Sequence, residues 1–220
     1  MEPIIFKNLS NEHCKEDNIK EFIKKIPKDS VFYDLGANLG WFSLYAAAIG
    51  LKTYSFELDE NNFRGLEENL HWNKNLQDRV KIFNKGIAGY NGKCKMLYTN
   101  EIVGGHHKVL FLENFSGPHD LESFPFYKEI EIVTLDSFIE ELKIPWPDFL
   151  KIDIDGSEYS FLLGNPKTLE KSKGIIIELY INSEYYTKSC EILEKYGFEM
   201  VEKYIIPGED NLFNFVYTKK

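Results

Sequence analysis

The sequence predicts an α/β fold: a doubly wound, mostly parallel sheet with helices on both faces. Three observations predict it. Short apolar, β-branched or aromatic runs alternate with helix-length amphipathic stretches, the pattern of successive βαβ units. The run GIIIELY, from Gly174 to Tyr180, is so uniformly apolar that it reads as a central strand buried on both sides. No internal repeat, low-complexity tract or linker divides the 220 residues, which fits one domain over 1–220.

The elements follow in order. A preface over 1–30 carries a helix from Glu16 to Ile26, and Val31 to Asp34 is the first strand. GWFSLYAAAI, from Gly40 to Ile49, reads as a buried helix. Lys52 to Glu57 is the second strand. The next helix, Glu60 to Trp72, sets Phe63, Leu66 and Leu70 on one side at helical spacing. Val80 to Ile87 reads as a third strand. The rhythm then breaks: Asn91-Gly92 is a turn signal before a short strand at Lys95 to Tyr98. Residues 100–127, rich in Gly, His, Pro and aromatics, show no regular pattern, and a stretch this long between sheet elements is more often functional than idle. Regularity returns with EIEIVTL, a helix from Asp136, and the strand-like run DFLKIDID ending at Asp155. A helix from Glu184 to Tyr196 and strands at Glu199 to Ile206 and Leu212 to Thr218 close the chain.

Charge and cysteine usage exclude some classes. With 35 acidic against 26 basic residues the net charge is -9, and the lysines are scattered among acids. A phosphate-gripping surface needs massed cations, so no nucleic-acid partner is expected. The three cysteines, Cys14, Cys94 and Cys190, lie far apart without CxxC or Cys/His pairing, which indicates neither a zinc site nor a disulfide framework. The N-terminus reads as neither signal nor transit peptide, and no apolar run is long enough to span a bilayer. A cytoplasmic location is expected; the oligomeric state is left open.

Three motifs carry chemistry. In VFYDLGANLGWFS a strand ends at Asp34, turns through Gly36, Asn38 and Gly40, and feeds a helix. Glycines there let a ligand approach backbone, and a helix N-terminus presents free N–H groups. The G-x-G-x-x-G fingerprint is absent, because Asn38 holds its middle position. Asp34 would repel a pyrophosphate and welcome an ammonium, so the ligand reads as an amino-acid head group. In YSFELD, Glu57 ends the next strand, where a carboxylate accepts ribose hydroxyls and Leu58 can lie against an adenine ring. Asp59 reads as a cap for the following helix. Ile87 completes the cofactor-side candidates. Amino acid plus adenosine is the outline of S-adenosylmethionine.

The third motif is FLKIDIDGSEYSFLLG. Strand alternation aims Asp153 and Asp155 toward one side. Two acids buried together need a partner: a sulfonium-bearing cofactor, a divalent metal or the proton of an acceptor group. Ser157 and Glu158 read as caps for the helix after Gly156.

The ordered set DLGANLG, FELD with a helix carrying Asn69, TLDSF, KIDIDGSE and IIIEL resembles the FkbM family of methyltransferases from Val31 to Leu179. The resemblance implies a class I methyltransferase fold, Rossmann-like, with seven strands in the order 3-2-1-4-5-7-6. It also implies cofactor contacts at Asp34, Gly36, Asn38, Gly40 and Glu57, and O-methylation from S-adenosylmethionine. Two positions depart from the family: Asp59 stands where proline is usual, and Asp155 where glutamate is usual. The expected catalytic set is Asp153 or Asp155 as base, with Glu178 as a supporting acid. The same three could hold one magnesium-like ion, so use of a divalent metal stays open.

The acceptor is expected to be a small molecule, a sugar or glycan hydroxyl, because acidic and aromatic residues without a basic patch favour a neutral polyol. Residues 100–127 are expected to form an acceptor-side lid. His106, His107 and His119 lie there, and its aromatics Phe111, Phe115, Phe124, Phe126 and Tyr127 suit a sugar face. Two rivals share the fold: an NAD-dependent oxidoreductase, which the glycine spacing opposes, and a non-catalytic adenosyl-ligand-binding module, which would lose the cofactor groups, whereas Asp34, Gly36, Glu57 and Asp153 are all present.

Overall fold

Seven strands form the principal sheet in a computed structural model that describes residues 4–5, 17–99, 108–112, 124–206 and 208–220. In chain order its strands are β1 (Val31–Leu35), β2 (Lys52–Glu57), β3 (Val80–Asn84), β8 (Phe149–Ile152), β9 (Gly174–Tyr180), β10 (Phe198–Ile205) and β11 (Leu212–Lys219). Across the sheet they run β3-β2-β1-β8-β9-β11-β10. Ranked by appearance, that is 3-2-1-4-5-7-6, the order the family resemblance implies. All neighbours pair in parallel except β11, which is antiparallel to both β9 and β10.

The chain winds outward from β1 through β2 to β3, then returns to β8 on the other side of β1. That reversal makes the gap between the carboxyl ends of β1 and β8 the switch point where ligands bind in open α/β sheets. Alternation along the strands divides the core. Tyr33, Leu35, Ile152, Ile175 and Ile177 join Phe161 and Leu169 in one cluster; these last belong to α5 (Glu158–Gly164) and α6 (Pro166–Lys171). Phe32 and Ile176 join Phe22 and Ile23 of α1 (Asp17–Lys25) and Ala46 of α2 (Trp41–Ala48) in the other. β9 lies between β8 and β11 with Ile175, Ile176 and Ile177 all buried, as its unbroken apolar run predicts.

Two strand predictions need correction. The run read as one strand from Val80 to Ile87 is divided. β3 stops at Asn84, whose side-chain amide donates to the backbone oxygens of Glu57 and Leu58 at 2.9 and 3.1 Å. Lys85 N–H donates to Glu57 O at 3.1 Å, which ends the ladder. The chain then enters β4 (Gly86–Ala88) in a second, four-stranded sheet ordered β4-β7-β5-β6, with β5 at Gly92–Tyr98, β6 at Lys108–Phe111 and β7 at Phe126–Thr134. Likewise β8 ends at Ile152, not Asp155, because a turn begins there.

EIEIVTL falls in β7 and in the start of α4 (Leu135–Leu142), outside the principal sheet. Part of the segment read as irregular is strand: β6 pairs antiparallel with β5, burying Val109 and Leu110. Four residues are too few for a period to be legible. A satellite core of Ala88, Cys94, Met96, Leu110, Leu112 and Ile132 underlies this sheet, with Leu58 packed against it. Burial pushes the Cys94 thiol up to about 11, so it is not a nucleophile at neutral pH. Among the described residues no helix is long and apolar enough to cross a membrane.

Candidate active site

β1 delivers Asp34 in register with Ser55 on β2 and Lys151 on β8. Asp34 is fully buried; its Oδ2 accepts from Ser43 Oγ at 2.5 Å, and Ser43 Oγ in turn accepts from Ser55 Oγ at 2.7 Å. Its Oδ1 lies 3.5 Å from Lys151 Nζ, and among the described residues no hydrogen bond reaches that oxygen. The sequence reading set Asp34 against a ligand ammonium; here the ammonium facing it is the chain's own. Lys151, 2% exposed, also stands 2.9 Å from Asp153 Oδ2 and donates to Gly36 O at 3.2 Å. A buried ammonium held by two carboxylates and a carbonyl offsets its desolvation through pairing. Lys151 is the site residue that sequence reasoning missed. Its only signal was a lysine two places before Asp153 in an otherwise apolar strand.

Beyond Asp34 the loop is tightly fitted. Gly36 has φ +76° and Gly40 has φ +84°, both left-handed, as does Asn38 at +50°. A Cβ on Gly36 would meet Asp153 O at 1.7 Å, and one on Gly40 would meet Leu66 Cδ1 at 2.2 Å. Gly36 therefore requires glycine for space as well as for conformation, and Gly40 for its left-handed conformation. Asn69, buried on α3 (Glu60–Trp72), donates to Leu39 O at 2.8 Å and pins the loop from outside.

Glu57, at the end of β2, is 7% exposed. One carboxylate oxygen accepts from Asn38 N–H at 2.7 Å and the other from Asp59 N–H at 2.8 Å. Two backbone donors thus orient the carboxylate at the end of β2. Asp59 caps α3 by accepting from the N–H groups of Asn61 and Asn62, both at 3.0 Å, as predicted, although it is buried. Ile87 sits on β4, 3% exposed and packed in the principal core. Its side chain packs in that core, as Leu58 does against the satellite core.

The turn after β8 carries the acids. Strand alternation ceases at Ile152, so it does not set the common direction expected for Asp153 and Asp155. Asp155 is instead left-handed, φ +50°. Glu158 Oε1 accepts from Ile154 N–H at 3.0 Å and Gly156 N–H at 3.3 Å, and so spans the turn. That corrects its reading as a helix cap. Ser157 makes no cap hydrogen bond either, and its buried Oγ has no partner among the described residues. Burial and then the neighbouring Asp153, Glu158 and Glu57 charges raise the Asp155 carboxyl well above the usual aspartate range. Burial raises Glu158 to about 7, against the lowering effect of its backbone hydrogen bonds.

Glu178 follows Ile177, the partner of Ile152, on β9, and pairs across with Asn214 of β11. It therefore stands one strand over from Asp153. Among the described residues, no group of three or more His, Cys, Asp or Glu side chains is disposed to hold a metal ion, which removes the joint Asp153, Asp155 and Glu178 site. His106, His107, His119 and Phe115 lie outside the described residues. Phe111 falls on β6; Phe126 and Tyr127, on β7, are 53% and 60% exposed, and Phe126 stacks on Tyr98 at 5.6 Å. An S-adenosylmethionine group fits what is present: a loop held open by glycine and an oriented carboxylate on the next strand.

Comparison with known proteins agrees. A family model described as Methyltransferase FkbM domain matches residues 34–200. The hexuronic acid methyltransferase AglP of Haloferax volcanii is 22% identical over 166 residues, covering 76% of this chain and 62% of that protein. The chain thus spans about three fifths of that relative's length. Among solved structures, Precorrin-6y C5,15-methyltransferase from Geobacter metallireducens superposes with a TM-score of 0.55 at 14% identity, covering 98% of this chain and 93% of the other. Methyltransferase FkbM from Methylobacillus flagellatus gives 0.55 at 16%, covering 85% and 43%. At these identities the superpositions establish the fold, that of class I methyltransferases.

Proposed function

The chain belongs to the FkbM methyltransferase family, and from that premise we propose that it transfers a methyl group from S-adenosylmethionine to a hydroxyl of a sugar or glycan. One observation carries the reading: the close seating of Gly36 against Asp153 O, where a Cβ would come to 1.7 Å. It joins the glycine loop after β1 and the acid-bearing turn after β8 into one unit at the switch point, so a ligand on the loop is presented to the acids.

When bound, S-adenosylmethionine supplies a methyl group on positively charged sulfur, which departs as a neutral thioether as the new O–CH3 bond forms. The protein's work is alignment, water exclusion and management of one proton. In this reading Glu57 takes the ribose hydroxyls, with Asn38 and Asp59 N–H groups fixing its carboxylate. Leu58 supplies apolar surface beside it. Gly36, Asn38 and Gly40 shape the loop for the amino-acid end.

Of the two candidate bases, Asp155 suits the proton better. Asp153 is tied to the Lys151 ammonium at 2.9 Å, whereas burial and then the neighbouring acids raise the Asp155 carboxyl and make it the stronger proton acceptor. Asp153 then acts as a positioning residue and Glu178 as a flanking acid. The sugar class is supported by the acidic net charge of -9 and by the hexuronic acid relative. The test is transfer of labelled methyl from the cofactor to a panel of neutral and acidic glycans. Labelled glycan supports the reading; cofactor binding without transfer to any acceptor favours the non-catalytic module.

A further inference from the structure

Beside the Asp153–Glu158 turn a pocket opens between α5 and α7 (Tyr185–Lys195). Gly156, Glu158, Tyr159, Tyr180, Tyr185 and Ser189 line it, and it encloses about 320 Å³ counting the open space at its mouth. The Tyr159 and Tyr185 rings stack at 4.8 Å with 17° between their planes. Lys188 Nζ lies 5.2 Å from the Tyr185 ring centre, and Glu184 is 3.9 Å from the same ammonium. Ser189 is fully buried, yet its Oγ has no hydrogen-bond partner among the described residues.

We propose that this tyrosine cleft is the acceptor subsite, and that it takes an uncharged pyranose ring with one hydroxyl turned toward Asp155. The proposal rests on the methyltransferase reading and adds to it where the acceptor sits and what charge it carries.

Three features select that ligand. Tyrosine faces suit the C–H face of a pyranose, while their phenols serve its hydroxyls. Burial raises Tyr180, which stays protonated; the Tyr185 phenol, also raised by burial, is hydrogen-bonded with Glu184. A buried hydroxyl without a partner is costly, and a polar ligand in the cleft offers one to Ser189 Oγ. That disfavours an apolar polyketide face. The charge follows from the lining: with Glu158 in the cleft and Asp153 and Asp155 on the adjoining turn, a sugar carboxylate would meet acidic side chains rather than a counter-ion. Lys188, beside the cleft, is shared with Glu184.

The test uses the full chain, isotope-labelled and saturated with S-adenosylhomocysteine so that no turnover occurs. Methyl glucoside, galactoside and mannoside are titrated to about 50 mM, a range suited to millimolar affinities, with methyl glucuronide as the charged control. Saturable NMR shifts are expected at 156–159 and 183–189 with at least one neutral glycoside, and weaker ones with the glucuronide. Tyr185→Ala and Ser189→Ala should each weaken glycoside binding by about 5-fold or more while leaving S-adenosylhomocysteine affinity unchanged. Shifts confined to other surfaces, tighter binding of the glucuronide, or variants that bind glycoside as the parent does would each overturn the subsite. So would the absence of any glycoside shift while S-adenosylhomocysteine binds. Failure of S-adenosylhomocysteine itself to bind strikes the methyltransferase reading instead, and the subsite falls with it.

Discussion

Lys151 Nζ lies 2.9 Å from Asp153 Oδ2, two residues along the same chain, although only one of the two side chains is deeply buried. The lysine is 3% exposed and the aspartate 31%, so Asp153 faces outward while its counter-ion is sealed beneath it. The same ammonium stands 3.5 Å from the wholly buried Asp34. One lysine therefore ties the end of β1 to the turn after β8.

Lys151→Met should remove that tie and leave the Asp34 charge buried without a cation. Stability is expected to fall by about 3–5 kcal/mol in urea unfolding. Adding Asp34→Asn to the same chain should recover part of the loss, since the stranded charge is then gone. Equal losses in the single and double variants would show that the lysine acts through packing alone.

Gly36→Ala tests the joined loops. The added Cβ has no room against Asp153 O, and a left-handed φ adds strain, so a loss of at least about 2 kcal/mol is expected. The variant should also bind S-adenosylhomocysteine at least ~10-fold more weakly, because the loop must shift to relieve the clash. Parental stability and affinity would mean that the loop and turn are not coupled.

The sequence exposed the strands best where they are buried on both faces: β9 was legible from three consecutive isoleucines, and the glycine turn from its residue types. What it hid was pairing. Lys151 reads as a polar interruption until β8 is laid beside β1, and only that register sets it against Asp34. The turn after Ile152 was hidden for a related reason. DFLKIDID alternates well as a strand, and it is Glu158, bonding back to Ile154 and Gly156 N–H, that bends it. The break at Lys85 likewise depends on Asn84 reaching Glu57 and Leu58, partners more than twenty residues away.

Glu158 links the turn to pH. Its carboxyl is raised from an unfolded value of 4.5 to about 7, so the folded state holds the proton more tightly. Its contribution to stability is full below pH 4.5 and is lost as pH rises to about 7. Glu158→Gln keeps the accepting oxygen and removes the titration. Across that window the parent should lose up to about 3 kcal/mol relative to the glutamine variant. Chemical unfolding of both proteins at several pH values measures the difference; parallel curves would count against a buried, titrating Glu158.

Asp155→Asn tests the proton acceptor. The turnover number should fall by about 100-fold or more, with cofactor affinity close to the parent's. The parent's rate should rise with pH along a limb lying above 3.8, the ordinary aspartate value, because the base must be ionised. The asparagine variant should lack that limb. A parental rate from the variant, once an acceptor is in hand, would move the assignment to Asp153.

The most direct measurement of the central claim is calorimetric titration of the protein with S-adenosylhomocysteine and, separately, with NADH, alongside a Glu57→Ala variant. Binding of S-adenosylhomocysteine is expected, with a loss of ~10-fold or more in the variant as the ribose contact goes, and no binding of NADH. Saturable binding of NADH, or no binding of S-adenosylhomocysteine at millimolar concentration, would contradict it.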